Sequence, residues 1–298
     1  MTTTTTTMTS TERADANAPA APTPEAPVHQ PIGFIGGGNM ASAIIGGLVR
    51  QGMPAERITV IEPWAEARAK LLADFGIVAH EAPGAALAGV GAVVWAVKPQ
   101  TFKEAAAAAR AHTGQALHLS VAAGIRSDSI AQWLGSERIV RAMPNTPALV
   151  GMGMTALFAR GGASQADRGL IEQVMAPTGQ VLWVASEVQL DAVTALSGSG
   201  PAYVFYFIEA MTQAGTDMGL PPEQAHRLAV GTFVGAAELA RRSDEPPALL
   251  RQRVTSKGGT THAAISRMEE DGIKAKFIQA MQAAQARAEA LGDEFGAA

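Results

Sequence analysis

Short apolar segments alternate with amphipathic stretches over most of the chain. Seven of these segments have the length and composition of buried strands, and they predict strands at 32–35, 58–61, 90–97, 117–121, 138–142, 155–159 and 181–184. Helices are predicted between them, starting near Asn39, Trp64, Gln100 and Ser127. Strands that alternate with helices are typical of a sheet covered by helices on both faces. The pattern therefore predicts an α/β fold with a doubly wound sheet over residues 31–186.

The pattern changes after residue 187, where strand signals stop and helical periodicity takes over. Helical stretches are predicted at 191–196, 203–218, 223–242, 248–254 and 274–291. Tyr203, Phe207, Met211 and Ala214 recur at helical spacing and form one apolar face. We expect a second, all-α domain over residues 187–298. A bundle this small often completes its core by dimerisation, so packing between two copies is favoured, although packing within one subunit stays open.

Composition and charge narrow the class of protein. A length of 298 residues fits two domains, and a net charge of −4 without a long basic run argues against nucleic acid as a partner. The absence of cysteine excludes disulfides and cysteine-type metal sites, and it fits a reducing, cytoplasmic location. The six histidines have no metal-ligand spacing, so no metal is expected.

Neither the apolar runs nor the N-terminal segment has the pattern of a membrane or targeting signal. The longest apolar runs, 92–97 and 203–208, are far shorter than the roughly 20 residues of a membrane helix, so no membrane association is expected. Residues 1–30 are rich in Thr, then in Ala and Pro, and lack the basic-then-apolar order of a secretion signal. We expect residues 1–30 to be a disordered tail.

A glycine-rich segment follows the first predicted strand and opens the first helix. Gly36, Gly38 and Ala41 match the G-x-G-x-x-A pattern of dinucleotide sites. Gly36 permits the tight turn, Gly38 lets the backbone approach a pyrophosphate, and Ala41 lets the helix pack closely on the sheet. The free N–H groups of the helix start favour phosphate. The segment predicts a Rossmann-type dinucleotide site.

Glu62 ends the second predicted strand, near where an acidic side chain usually receives the ribose 2′-hydroxyl of the cofactor. A carboxylate there should repel a 2′-phosphate. The alternative is that Glu62 caps the following helix, ahead of Pro63 in its first turn. Both roles stay open, and so does the choice between NADPH and NADH.

Two other strand ends carry polar residues. Lys98, within Ala96, Val97, Lys98 and Pro99, follows the third strand, where it can meet the cofactor or an anionic substrate; the alternative is a solvated loop lysine. The segment 141–147 follows the fifth strand, and its two prolines make a stiff loop that can hold Asn145 in place.

Two segments in the helical part combine hydroxyl side chains with glycines directly before a helix, namely 196–203 and 254–261. Such turns present backbone N–H groups and hydroxyls together, which suits a carboxylate. Either one alone would be interpreted as a capped helix entry. Their occurrence together indicates a substrate site.

With these motifs in order, residues 31–291 resemble the pyrroline-5-carboxylate reductases. The matching segments are 33–41, 96–99, 141–147, 196–203 and 254–261, followed by Ala264, Ile265, Met268 and Glu269. The resemblance implies a Rossmann domain followed by an all-α dimerisation domain, and hydride transfer from NADPH or NADH to a cyclic imino acid, Δ1-pyrroline-5-carboxylate, giving L-proline. It also implies a homodimer that assembles into a larger homo-oligomer.

The same resemblance implies the site residues. Cofactor contacts are expected from Ile35, Gly36, Gly37, Gly38, Asn39, Met40, Ala96, Val97, Lys98 and Pro99, and substrate contacts from Ser256, Gly259, Thr260 and Thr261. Lys257 stands where the family often has proline, which loosens the turn but removes no donor. Pro83 stands where many relatives have a small polar residue, which puts a cofactor contact by that side chain in doubt.

Hydride transfer needs no protein nucleophile, because the cofactor supplies the reactive atom. A protonated imine accepts hydride better than a neutral one, and we expect the catalytic residue Thr261 to hydrogen-bond the ring nitrogen, directly or through water. A threonine hydroxyl is too weak an acid to donate the proton, so the proton is expected from solvent or with the substrate. His262 is a lesser candidate for assisting protonation. Tyr203 is expected to pack or bridge at its helix start.

Two alternative functions fit the sequence less well. A β-hydroxyacid dehydrogenase-like enzyme would need a Lys and an Asn at helical spacing in the first long helix, and residues 201–211 contain neither. A non-catalytic NAD(P)-sensing regulatory protein would be expected to have a degraded substrate turn, whereas residues 256–261 are intact.

Overall fold

The computed structural model describes residue 28 and residues 30–296. Most of the predicted disordered tail, residues 1–27 and 29, lies outside the described residues. Val28 is a described residue and is buried in the same apolar cluster as Ile32. The Gln30 side chain packs against Gly91. The Val28 side chain thus contributes apolar area to the core, and the disordered tail expected over residues 1–30 stays a prediction.

One sheet forms the N-terminal part of the molecule. Its strands are β1 (Ile32–Ile35), β2 (Ile58–Ile61), β3 (Ala92–Trp95), β4 (Leu117–Ser120), β5 (Ile139–Met143), β6 (Gly153–Ala159) and β7 (Gly179–Trp183). The order across the sheet is β2-β1-β3-β4-β5-β6-β7. Neighbouring strands are parallel except β5 and β6, which are antiparallel. All seven predicted strands are present with ends within two residues, and the doubly wound α/β fold is confirmed.

Helices cover both faces of this sheet. They are α1 (Asn39–Arg50), α2 (Ala65–Phe75), α3 (Pro99–Thr113), α4 (Ser127–Leu134) and α5 (Gln165–Met175). The predicted helix starts omitted α5. Its sequence carried the signal, since Ser164 and Asp167 form a capping box at its N-terminus and its buried residues recur at helical spacing.

Only helices follow the sheet among the described residues. They are α6 (Gln189–Val193), a π-helical turn (Thr194–Gly198), α7 (Gly200–Asp217), α8 (Pro222–Arg242), α9 (Pro247–Arg253), α10 (Thr260–Glu270) and α11 (Ile273–Gly296). No bounds were predicted for α10, although the segment 254–261 was interpreted as preceding a helix. Ile265 and Met268 are the large apolar residues of α10, and its apolar stripe is correspondingly weak. The all-α character of this part is confirmed.

The core lies on the two faces of the sheet. In β1, Phe34 belongs to one buried apolar cluster and Ile35 to the other, because successive side chains of a strand point to opposite faces. Val94 and Trp95 of β3 divide in the same way. The central strands β1, β3 and β4 are thus buried on both sides, as their near-continuous apolar runs predicted, whereas the edge strand β7 is partly exposed.

The parallel strands bring their carboxyl ends to one edge of the sheet. Ile35 pairs with Ile61 and with Trp95, Trp95 pairs with Ser120, and Ser120 pairs with Arg141. The segments that follow these residues are therefore neighbours in space, and they include three of the predicted motifs.

Candidate functional site

The glycine loop joins β1 to α1 at this edge. Gly36 has a φ of +95°, and a Cβ there would lie 2.7 Å from the carbonyl oxygen of Ala96. Its N–H donates to the Ile61 carbonyl at 2.8 Å. Only glycine fits this position, because any side chain would meet both backbone strain and a neighbouring strand.

Gly38 leaves open space beside the start of α1. A Cβ added to Gly38 would meet no atom within 4 Å. The first N–H groups of a helix have no partner within the helix and attract anions. Ala41, one turn later, is fully buried against the sheet. The loop therefore has the room, the donors and the helix packing that a dinucleotide pyrophosphate requires.

Glu62 follows β2 and is hydrogen-bonded to the glycine loop. Its Oε2 accepts the Gly37 N–H at 2.7 Å, and its Oε1 accepts the Trp64 N–H at 3.0 Å. Its exposure is 6%. A Cβ on Gly37 would lie 2.7 Å from Leu71 of α2, so the loop is also packed closely against that helix. Glu62 thus bonds the N–H of Trp64, which precedes α2, and holds the glycine loop. The capping interpretation is wrong in its detail, because no N–H of the first turn of α2 bonds a side-chain cap and Pro63 lies before the helix.

The segment Ala96, Val97, Lys98 and Pro99 lies beside the glycine loop. The Ala96 N–H donates to the Ile35 carbonyl at 2.8 Å, and the Val97 side chain lies against Gly36. Lys98 precedes α3 and is exposed, and Pro99 is the first residue of that helix. The structure thus brings together the predicted cofactor residues from Ile35 to Met40, Glu62, and the segment 96–99.

The predicted substrate turn connects α9 to α10. Gly258 has a φ of +74°, and the Gly259 N–H donates to the Ser256 carbonyl at 3.0 Å. Thr260 and Thr261 form the first turn of α10, so their N–H groups have no partner within the helix. Ser256 and Thr260 are exposed, and Thr261 is half-buried. The turn can hold a carboxylate, with hydroxyls beside the N–H groups.

Two of the motifs, 141–147 and 196–203, meet at the junction of the sheet and the helices. The Asn145 Nδ2 donates to the Ser197 carbonyl at 3.1 Å, and the Asn145 Oδ1 accepts the Met154 N–H at 2.9 Å. A cavity of about 550 Å³ opens here, and Asn145, Ser197, Pro201 and Tyr203 are among its lining residues. The Tyr203 hydroxyl donates to the Ala195 carbonyl at 3.1 Å, and its ring packs edge-on against Phe277.

An ion-pair cluster that sequence reasoning missed lies behind this junction. Arg141 of β5 is 5% exposed, and its Nη1 donates to Glu187 Oε1 at 2.5 Å. Glu187 also accepts the Ser127 N–H and the Ser127 hydroxyl, both at 2.6 Å. Burial lowers the pKa of Arg141, against the raising effect of Glu187. Burial alone would raise the pKa of Glu187, but the Arg141 charge and the Ser127 hydrogen bonds outweigh it and hold that pKa below its ordinary value.

A second pair continues the cluster. Arg126 bridges to the buried Asp191 of α6, with Nη2 to Oδ2 at 2.9 Å. Arg126 also lies against Gly292 of α11. Pattern reasoning had no local signal for these contacts, because Arg141 and Glu187 are separated by 46 residues and Arg126 and Asp191 by 65. The cluster joins β5 and the start of α4 to the first helical segment after the sheet.

The predicted cofactor segments and the predicted substrate turn do not contact each other through hydrogen bonds or ion pairs among the described residues. Within residues 30–296, no hydrogen bond or ion pair connects the turn 256–261 to the glycine loop or to the segment 96–99. His262 is exposed. In the part of the chain that the structure describes, no group of three His, Cys, Asp or Glu residues could hold a metal, and no helix has both the length and the apolar character to cross a membrane.

Family models match both parts of the chain. Residues 31–124 match a model described as NADP oxidoreductase, coenzyme F420-dependent, and residues 187–291 match one described as pyrroline-5-carboxylate reductase dimerisation. A pyrroline-5-carboxylate reductase of Pseudomonas aeruginosa is 46% identical over 267 residues, which are 89% of this chain and 98% of that protein. The corresponding protein of Pisum sativum is 38% identical over 87% of this chain and 95% of its own length.

Solved structures agree. A pyrroline-5-carboxylate reductase from Coxiella burnetii is 38% identical, with a TM-score of 0.82 over 88% of this chain and 98% of its own. A pyrroline carboxylate reductase from Plasmodium falciparum, solved with NADP bound, is 27% identical, with a TM-score of 0.81 over 90% of this chain and 100% of its own. Both the nucleotide-binding part and the helical part of this chain therefore have counterparts in the same relatives.

Proposed function

The chain belongs to the pyrroline-5-carboxylate reductase family, and on that basis we propose that it reduces Δ1-pyrroline-5-carboxylate to L-proline with NADPH or NADH. The observation that carries the proposal is the turn at the head of α10, where the N–H groups of Thr260 and Thr261 stand beside hydroxyl side chains. A dinucleotide loop alone would suit many oxidoreductases. This turn adds a place for the carboxylate of a small imino acid.

The cofactor part of the proposal uses residues of the sheet edge. NAD(P)H, when bound, supplies the hydride. The glycine loop from Gly36 to Gly38 and the start of α1 receive the pyrophosphate, and Glu62 keeps that loop in place. The segment 96–99 forms the adjoining wall, where exposed Lys98 adds positive charge.

The substrate part uses the turn 256–261. The N–H groups of Thr260 and Thr261 bind the substrate carboxylate, supported by Ser256 and by the close turn at Gly259. The Thr261 hydroxyl hydrogen-bonds the ring nitrogen and favours its protonated form, which accepts hydride more readily. The proton comes from solvent or arrives on the substrate, because a threonine hydroxyl has too high a pKa to supply it.

The proposal includes two domains and self-association. The last strand ends at Trp183 and the dimerisation model begins at residue 187, which supports domains at 31–186 and 187–298. Large apolar side chains of the helical part are exposed in the single chain, among them Phe205, Tyr206, Leu228 and Val234. This surface and the dimerisation match support a homo-oligomer, and we propose dimers that assemble further, in the cytoplasm.

The test is steady-state oxidation of NADH and of NADPH by the purified protein with authentic pyrroline-5-carboxylate. We expect turnover only when a cyclic imino acid is present. Cofactor binding without turnover on any cyclic imine would instead support a regulatory protein that senses the nicotinamide. Light scattering after size-exclusion chromatography tests the assembly, and a monomer at micromolar concentration would contradict that part of the proposal.

A further inference from the structure

The carboxylate of Glu62 occupies the place where the ribose 2′-position of a dinucleotide is read in this fold. It lies 24 residues after Gly38, at the carboxyl end of β2. Both of its oxygens accept backbone N–H groups, one from the glycine loop and one from Trp64. The side chain therefore cannot rotate away from an arriving ligand without breaking two hydrogen bonds. Each carboxylate oxygen has a second lone pair, so each can still accept a hydroxyl proton.

The first cation that follows Glu62 in the chain, Arg68, uses one of its two terminal nitrogens on backbone carbonyls. Arg68 of α2 donates through Nη1 to the carbonyl of Glu62 at 2.9 Å and to the carbonyl of Pro63 at 2.7 Å. Its Nη2 lies 3.5 Å from Glu81, an exposed carboxylate beside the same strand. Recognition of a 2′-phosphate usually relies on an arginine with donors to offer. Arg68 instead uses its Nη1 donors on the backbone that carries Glu62.

The remaining charges of this connection are also negative. Glu66 lies in the first turn of α2 and is exposed. A 2′-phosphate at the ribose position would thus meet the Glu62 carboxylate in a segment, 62–68, that holds two acids and one cation, Arg68. A phosphate carries nearly two negative charges near pH 7, and like charges at close range repel.

We propose that Glu62 makes this chain selective for NADH: its carboxylate, latched to the glycine loop, accepts the ribose 2′-hydroxyl and repels a 2′-phosphate. The inference deepens the proposed function, since it names which nicotinamide the reductase uses. It concerns this chain's own residues and does not follow from the relatives, one of which was solved with NADP bound.

The test measures equilibrium binding of NADH and NADPH without any imino acid, by calorimetry or by quenching of tryptophan fluorescence. We expect the Kd for NADPH to exceed that for NADH by at least about tenfold at low salt. The ratio of the Kd for NADPH to the Kd for NADH should fall as the salt concentration is raised, because salt screens the repulsion between the Glu62 carboxylate and the 2′-phosphate. Equal affinities for NADH and NADPH would overturn the inference. So would a ratio of the Kd for NADPH to the Kd for NADH that rises with salt, because that is the result expected when salt screens attraction between a cation and the 2′-phosphate. These measurements need only the unaltered protein.

Variants then assign the selectivity. Glu62→Gln removes the charge and leaves one acceptor for two N–H groups, so we expect weaker binding of NADH. We also expect the ratio of the Kd for NADPH to the Kd for NADH to be at least about fivefold smaller than in the unaltered protein. Glu56→Gln is the matched control, because it removes the same charge at the amino end of the same strand, and its ratio should stay within about twofold of the unaltered protein. An equal loss of both affinities in Glu62→Gln would mean that Glu62 only holds the loop, and would refute the proposal.

Arg68→Gln addresses the opposite assignment. Because Arg68 bonds to backbone carbonyls, its loss should weaken both cofactors by a similar factor. A selective loss of NADPH affinity would show that Arg68 reads a 2′-phosphate and would overturn the inference. Since none of these measurements involves catalysis, failure of the cofactor inference is distinguishable from failure of the proposed function, which would appear as binding without turnover.

Discussion

The ion pair between Arg141 and Glu187 connects the sheet to the helical part of the chain. One substitution, Glu187→Gln, tests how much this connection stabilises the protein. Glu187→Gln keeps the size of the side chain but removes its charge, and leaves one acceptor for the three donors now bonded to Glu187. Removing one partner of a buried ion pair typically lowers the free energy of unfolding by about 3 to 5 kcal/mol, because the other charge stays buried without its partner. Glu187 retains 18% side-chain exposure, so we expect a loss of about 3 kcal/mol in the free energy of unfolding at pH 7.

The loss should depend on pH in a defined direction. The pKa of Glu187 in the folded chain is below its ordinary value, so the pair stabilises the protein fully above about pH 4.5. As the pH falls through the folded pKa, the carboxylate is protonated and this stabilisation disappears. The difference between the unaltered protein and Glu187→Gln should therefore be constant from about pH 7 to pH 5.5 and should shrink below about pH 4.5.

Urea unfolding followed by circular dichroism measures this difference, at one fixed protomer concentration because association would shift the midpoint. Asp74→Asn is the control, since it breaks the exposed Lys70–Asp74 pair and should cost less than about 0.5 kcal/mol. The double variant Arg141→Met, Glu187→Leu should lose less than the sum of the two single variants. A loss below about 1 kcal/mol for Glu187→Gln, or a loss that persists unchanged at pH 4, would refute the reasoning.

Three further predictions concern separate parts of the chain. Thr261→Ala keeps the backbone N–H and removes the hydroxyl, so kcat/KM with the imino acid should fall roughly 10- to 150-fold while stability falls by no more than about 1 kcal/mol; a loss of activity that only parallels unfolding would contradict this. Burial, aided by the charge of Arg138, lowers the pKa of His118 to about 4. The folded protein should therefore lose up to about 3 kcal/mol of stability as the pH falls from about 6.5 to 4, and His118→Asn, which can still accept the Trp95 Nε1–H, should lose less over that interval in the same urea assay. Deleting residues 1–27 should leave activity and melting temperature unchanged, whereas extending the deletion through Val28 should lower the melting temperature by exposing part of the core; equal melting temperatures for the two truncations would contradict this.

Local patterns predicted the sheet well because burial on both faces requires continuous apolar runs in the sequence. They also located Gly36, since a glycine directly after a strand and before a helix is typical of the tight turn in a dinucleotide loop. The antiparallel direction of β6 was not predictable from its own residues, because direction depends on the connection between strands. The short β5–β6 connection, residues 144–152, contains no helix long enough for a parallel crossover.

Long-range polar contacts were the other part that local patterns could not predict. Glu187 lies in the connection after β7 and looks like an ordinary exposed acid in the sequence. Its role arises only because the fold places the start of α4 and the end of β5 beside it. The burial of Val28 was not predicted for a different reason: one apolar residue in a polar, proline-rich segment is too little for a composition argument to detect.

The polar residues of the motifs differ in whether their side chains already form hydrogen bonds within the chain. Asn145 uses both ends of its amide on the backbone of other segments, and the Ser197 hydroxyl donates to the Val193 carbonyl. These two residues shape the wall of the cavity at the junction and have few hydrogen-bonding groups left for a ligand. Among the described residues, the Thr261 hydroxyl has no hydrogen-bond partner, and Thr261 also contributes one of the free N–H groups at the start of α10. A hydroxyl that the fold leaves unbonded beside free N–H groups is available to a substrate, and this distinction, which motif matching does not make, is the structural reason to test Thr261 before Asn145.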